Sequence, residues 1–126
     1  MRIGVPTEIK VHEYRVGLVP ASVRELTLAG HEVLVQAGAG NGIGCIDADY
    51  AAAGARIVAT AAEVFAAADL VVKVKEPQLA ECAMLRRGQV RVFNLMTEET
   101  ESGTQVLRSP RDAGVNRSHA TALDKG

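Results

Sequence analysis

Asp69-Leu-Val-Val-Lys-Val-Lys-Glu-Pro77 is the stretch from which the fold is read. Leu70 to Val74 is a short β-rich run with lysines near its carboxyl end, halted at Glu76-Pro77. Apolar runs of this length, bounded by a breaker, form buried strands. Open α/β sheets bind their ligands outside the carboxyl ends of such strands. A lysine leaving the strand here is therefore placed to meet an anionic substrate. Lysines are mostly exposed, so the local pattern also leaves a second reading open. In it Lys73 and Lys75 are solvated charges on an edge strand.

The segments on either side supply the rest of the architecture. Thr60-Ala-Ala-Glu63 is a capping box that opens a helix over 61–67. Glu76-Pro77 starts another helix, with Leu79, Cys82, Ala83 and Leu85 on one side and Arg86-Arg87-Gly88 as its end. Val90 to Leu95 comes next as a last strand. Toward the N-terminus, Arg2 to Val5 is a strand ended by Pro6. Pro20 suits the first turn of a helix that Gly30 closes. Glu32 to Gln36 and Arg56 to Val58 are strands, separated by a short helix that Asp47 caps and Gly54 stops. The alternation of strand and helix predicts an α/β, three-layer domain with a mostly parallel sheet, Rossmann-like or flavodoxin-like.

The chain has 126 residues, of which 48% are hydrophobic and 23% charged, and these are the proportions of one globular domain. A net charge of −1 gives no electrostatic case for nucleic acid or an anionic membrane as partner. No apolar run is long enough for a bilayer span or a signal peptide, and the expected setting is soluble and cytoplasmic. Cys45 and Cys82 lack CxxC or metal spacing and read as small apolar fillers, and no metal site is expected. A disulfide between them is left open, although the composition is unlike that of a disulfide-stapled secreted domain. After Met96 the chain turns polar and loses any clean period, so 96–126 is expected to be a loosely ordered tail. Arg111, Asp112 and His119 form no recognisable catalytic spacing there.

Thr7 to Val19 is a long polar loop straight after the first strand, holding Glu8, Lys10, His12, Glu13, Tyr14 and Arg15. Such loops carry ligand-binding groups in α/β folds. Arg15 and Lys75 leave the same edge of the predicted sheet. Together they offer a small carboxylate a planar guanidinium and a second point charge. His12 could serve as an acid or base or simply be solvated, and His31 is a surface or helix-end residue. Ala37-Gly-Ala-Gly-Asn-Gly-Ile-Gly44 fails the GxGxxG test, because Ile43 and Cys45 stand where the third glycine would be needed. It reads as a turn whose glycines supply positive φ.

Several motifs in order carry a family resemblance: Met1-Arg-Ile-Gly-Val-Pro-Thr-Glu-Ile-Lys10, His12-Glu-Tyr-Arg-Val16, Pro20-Ala21, Gly30-His-Glu-Val-Leu-Val35, Ala37-Gly-Ala-Gly40 and Val72-Lys-Val-Lys-Glu-Pro77. Together they resemble the N-terminal, substrate-binding domain of bacterial alanine dehydrogenase. That family shares this domain with the nicotinamide nucleotide transhydrogenase α chain. Transhydrogenases tend to carry a neutral residue at the position of Lys75, which favours the alanine dehydrogenase branch. The resemblance implies NAD-dependent conversion of L-alanine to pyruvate and ammonia by a homo-oligomer. It implies that Arg15 binds the substrate carboxylate and Lys75 binds substrate and polarises its carbonyl. It places the loop at 38–44 in the substrate domain and assigns NAD to a separate domain, so no cofactor is expected on this chain alone.

The likeness is traced to about Val90, giving an expected substrate domain over 1–95 and a divergent remainder. Met96 stands where the family has its catalytic histidine, and methionine cannot transfer a proton. No catalytic residue is therefore assigned. The expectation is a truncated chain, inactive in hydride transfer by itself; the alternatives are a non-catalytic binding or assembly remnant and a transhydrogenase N-terminal domain.

Overall fold

Apolar segments that do not alternate with polar residues call for a sheet covered on both faces, and the computed structural model shows one. It describes residues 1–94 and 104–108, with side chains through Val92. Among the described residues six strands form the sheet: β1 (Arg2–Val5), β2 (Glu32–Gln36), β3 (Arg56–Val58), β4 (Leu70–Lys73), β5 (Val90–Asn94) and β6 (Thr104–Arg108). Their order is β3-β2-β1-β4-β5-β6. β1 to β5 pair in parallel and β6 runs antiparallel to β5. This order is that of the Rossmann fold and differs from the flavodoxin-like one, which settles the alternative the sequence left open.

The helices are α1 (Pro20–Leu28), α2 (Asp47–Ala52), α3 (Ala61–Ala67) and α4 (Leu79–Cys82). On one face Ile3, Val5, Val33 and Val35 pack with Val23 of α1 and Tyr50 of α2. On the other Leu34 and Val58 meet Val64 of α3, and Val71 meets Phe65 and Leu85. Val33, Leu34 and Val35 are all at most 3% exposed, so consecutive β2 side chains are buried on opposite faces. The Tyr50 hydroxyl donates to the Leu18 carbonyl at 2.8 Å, pinning α2 beneath the end of the first loop. Burial, with smaller contributions from Cys45 and Asp49, pushes that phenol up to about 12.

Most local readings match residue by residue, and four differ. Asp47 does not cap α2: its carboxylate accepts from the Gly38 N–H at 2.9 Å, and Asp49 accepts from Ile46 N–H instead. α4 is a single turn, so Leu79 does not belong to an apolar helix face and is 91% exposed, while Leu85 is buried beyond the helix end. β4 stops at Lys73, one residue short of Val74. Thr104–Arg108 forms a strand within the stretch expected to be loosely ordered; the rest of that stretch, including Met96, Arg111, Asp112 and His119, lies outside the described residues.

Candidate functional site

The chain winds outward from β1 to β3 and then returns to place β4 on the other side of β1. Connections leaving β1 and β4 therefore part in opposite directions, and the crevice between them is where such sheets bind ligands. The loop after β1 is held in that crevice by two close backbone approaches. A Cβ on Gly17 would lie 2.4 Å from the Val72 carbonyl oxygen of β4. A Cβ on Gly42 would lie 2.2 Å from the Tyr14 carbonyl oxygen. Only glycine fits at either place, so the loop is clamped between β4 and the turn after β2.

A cleft of about 200 Å³ opens between these loops. Thr7, Glu8, Glu13, Tyr14 and Arg15 line one side, and Gly38, Ala39, Asn41 and Gly42 the other. Arg15 is fixed by a two-pronged contact. Its Nε donates to Glu13 Oε2 and its Nη2 to Oε1, each at 2.9 Å, while its main-chain N–H also donates to Oε2 at 2.9 Å. The Glu13 side chain is 4% exposed and that of Arg15 is 43% exposed. The Arg15 hydrogen bond holds the Glu13 carboxyl below its usual range against the opposing effect of burial, and the charges of Arg15 and Lys75 add to the lowering. The same hydrogen bond raises Arg15. A guanidinium has five N–H donors. Glu13 takes two of Arg15's, and the others face no protein acceptor among the described residues.

Lys75 is half-buried at the margin of the cleft and is not among its lining residues. Its main-chain N–H donates to Glu8 Oε1 at 3.3 Å, and its charge reaches Glu13 and Glu76. Burial alone would raise the Glu76 carboxyl, but the hydrogen bond and charge of Lys10, with the charge of Lys75, leave it lowered. The two expected ligands are thus brought to one edge of the sheet, with Arg15 inside the cleft and Lys75 beside it.

Lys73 corrects the solvated reading. β4 is a central strand, and the Lys73 side chain is 1% exposed. Its ammonium donates to Glu8 Oε1 at 3.0 Å and Glu81 Oε2 at 2.9 Å, two carboxylates equally buried. One signal for this was present in the sequence: Lys73 shares a strand face with Val71, so a buried Val71 demands a buried, paired lysine. Nothing in the spacing pointed to Glu8 or Glu81 as the partners. His12 is exposed, has φ 61°, and its Nδ1 lies 3.2 Å from the Tyr14 hydroxyl.

In the glycine turn, Gly38 and Gly44 do adopt positive φ, both 82°. Gly40 and Gly42 instead allow contact: a Cβ on Gly40 would lie 2.6 Å from Tyr50 Cε2. The turn contains a short 3-10 segment, Asn41–Ile43, and no long helix whose N-terminus could receive a pyrophosphate. Gly40 and Gly42 thus serve contacts within the protein, and Gly38 and Gly44 serve the course of the backbone.

Comparison with known proteins agrees with the fold. The family described as alanine dehydrogenase/PNT, N-terminal domain, matches residues 4–117, beyond the point to which motifs alone carried the likeness. An alanine dehydrogenase of Mycobacterium tuberculosis is 59% identical over 90 residues, which are 71% of this chain and 24% of that protein. A solved L-alanine dehydrogenase superposes with a TM-score of 0.70 at 46% identity, covering 75% of this chain and 27% of the other. A transhydrogenase from Sinorhizobium meliloti superposes with the same TM-score, 0.70, at 35% identity, covering 75% of this chain and 28% of the other. This chain thus spans about a quarter of the length of the curated relatives it matches. With the matched residues covering nearly all of the described fold, the chain belongs to the alanine dehydrogenase/PNT N-terminal domain family.

Proposed function

We propose that the chain is the substrate-binding domain of an alanine dehydrogenase and that it holds the carboxylate of pyruvate or L-alanine between Arg15 and Lys75. The observation that carries this is the Arg15 guanidinium, oriented by Glu13 in a cleft at the carboxyl edge of the sheet, with donors left over. A planar fork with unused N–H groups matches a carboxylate in geometry and charge. Lys75 supplies the second positive charge at the margin and can approach the carbonyl oxygen of the same small acid. The higher identity to the alanine dehydrogenase structure than to the transhydrogenase favours the first branch. In the intact enzyme the oxidation of alanine passes a hydride to NAD. The described residues contribute binding and orientation to that reaction, and no step through the cofactor is assigned to them. A cytoplasmic homo-oligomer is the proposed setting; among the described residues no helix is long and apolar enough to cross a membrane.

Calorimetric titration with pyruvate tests the proposal. The parent chain should bind at millimolar concentration, and Arg15→Ala should weaken binding at least about tenfold, as expected for lost charge-assisted hydrogen bonds. Lys75→Ala should also weaken it. Absence of heat from the parent, or affinity indifferent to both substitutions, refutes it.

A further inference from the structure

Val74 and Lys75 come directly after the last residue of β4, and their main-chain N–H groups donate to a side chain. The Glu8 carboxylate accepts from Val74 at 2.8 Å and from Lys75 at 3.3 Å, while its Oε1 also takes the Lys73 ammonium. Three successive residues of the strand end are thus tied to one carboxylate in the loop after β1. Glu8 is 8% exposed, lines the cleft, and lies on the same loop as Glu13 and Arg15. After the hydrogen bond and charge of Glu13, the Glu8 charge is a further influence raising Arg15.

We infer that Glu8 is a positioning residue which sets the place of Lys75 relative to Arg15, by binding the main chain at the end of β4 to the loop that carries the arginine. This rests on the reading of Arg15 and Lys75 as carboxylate ligands. The role assigned to Glu8 is exerted through Lys75, by way of the main-chain hydrogen bonds. A merely structural account would give Glu81 the same weight, because both acids neutralise Lys73. Among the described residues only Glu8 bonds the Val74 and Lys75 amides; the second oxygen of Glu81 accepts from Gln78 N–H at 2.8 Å, at the start of α4.

The test compares pyruvate affinity and thermal stability for the parent, Glu8→Gln, Glu81→Gln, Lys75→Ala and the Glu8→Gln/Lys75→Ala double variant. Either glutamine leaves Lys73 paired with one carboxylate, so no buried charge loses its partner. Glu8→Gln should weaken pyruvate binding about tenfold. In the Lys75→Ala background it should add no more than about a twofold loss, the mark of two residues acting as one. Glu81→Gln should stay within about twofold of the parent even where its melting temperature falls as far. If Glu8→Gln does not fold, Glu8→Asp replaces it, keeping the charge beside Lys73 while drawing the carboxylate back from the two amides. Equal losses from both glutamines, or a Glu8 effect undiminished in Lys75→Ala, overturn the inference while leaving the carboxylate site standing. A parent chain that gives no pyruvate heat overturns the carboxylate site, and the role of Glu8 toward substrate falls with it.

Discussion

Gly42→Ala is expected to damage the proposed carboxylate site through a contact with the main chain rather than with a ligand. Gly42 has no positive φ, so alanine meets no backbone strain of its own there. Its Cβ would lie 2.2 Å from the Tyr14 carbonyl oxygen and 3.0 Å from both Tyr14 C and Tyr14 Cα. All three are backbone atoms, and no side-chain rotation can relieve the overlap. Restoring an ordinary contact of 3.4 Å needs a displacement of about 1 Å in the loop, at the residue just before Arg15. Overpacking of this kind costs about 1–3 kcal/mol in stability. A misplacement of about 1 Å in a positioned group can cost about a hundredfold in function. Gly30→Ala is the control. Gly30 has φ 97° with nothing within 4 Å of its would-be Cβ, so alanine should cost about 1–2 kcal/mol in backbone strain without touching the cleft. Urea unfolding and pyruvate titration of both variants separate the effects: comparable stability loss, but weakened binding only for Gly42→Ala. Parent-like affinity in Gly42→Ala, or an equal affinity loss in Gly30→Ala, refutes the idea that this contact places Arg15.

The charges and the orphaned groups give three further outcomes. Lys73→Met leaves Glu8 and Glu81 buried without a cation and should cost about 3–5 kcal/mol; a loss under about 1 kcal/mol in urea unfolding would contradict the buried triad. Because the folded Glu13 carboxyl lies below its ordinary value of 4.5, the stability it contributes is fully present above that pH and is lost as pH falls through the lowered value. An acid titration followed by circular dichroism should therefore show the parent's advantage over Glu13→Gln shrinking below pH 4.5, and a constant difference would count against the Arg15 contact. Thr7 Oγ1 is buried with no hydrogen-bond partner among the described residues, so Thr7→Val should leave the melting temperature unchanged or raise it, by up to about 1 kcal/mol in stability. A fall of several degrees would reveal a partner that the structure does not show.

Strand positions were legible because a buried parallel sheet writes itself as unbroken apolar runs between breakers. β1, β2, β3 and α3 match their sequence readings, and Thr60 caps α3 by accepting from Glu63 N–H at 3.2 Å. β4 ends early for a reason no local pattern carries: the acceptor for Val74 N–H is Glu8, 66 residues away. The Lys73 triad was hidden for the same reason, since ion pairing across the sheet leaves no periodic trace. Arg15 could be singled out as a candidate because α/β folds place ligand-binding groups in the loop after the first strand. The role of Glu13 could not be assigned, although it lies only two residues away. The glycine turn was half legible. Positive φ at Gly38 and Gly44 comes with the residue type, whereas the close approach of Gly42 to Tyr14 depends on the fold bringing two loops together.

The most direct test of the carboxylate site is a pyruvate titration monitored by nitrogen-15 NMR on the parent chain. Saturable shifts should appear at the Arg15 Nε–H and at the main-chain amides of Arg15, Gly42, Val74 and Lys75, and in Arg15→Ala the amide shifts should need at least about tenfold more pyruvate. Shifts confined to residues away from this cleft, or a spectrum that pyruvate leaves unchanged, would contradict the assignment of Arg15 and Lys75 as carboxylate ligands.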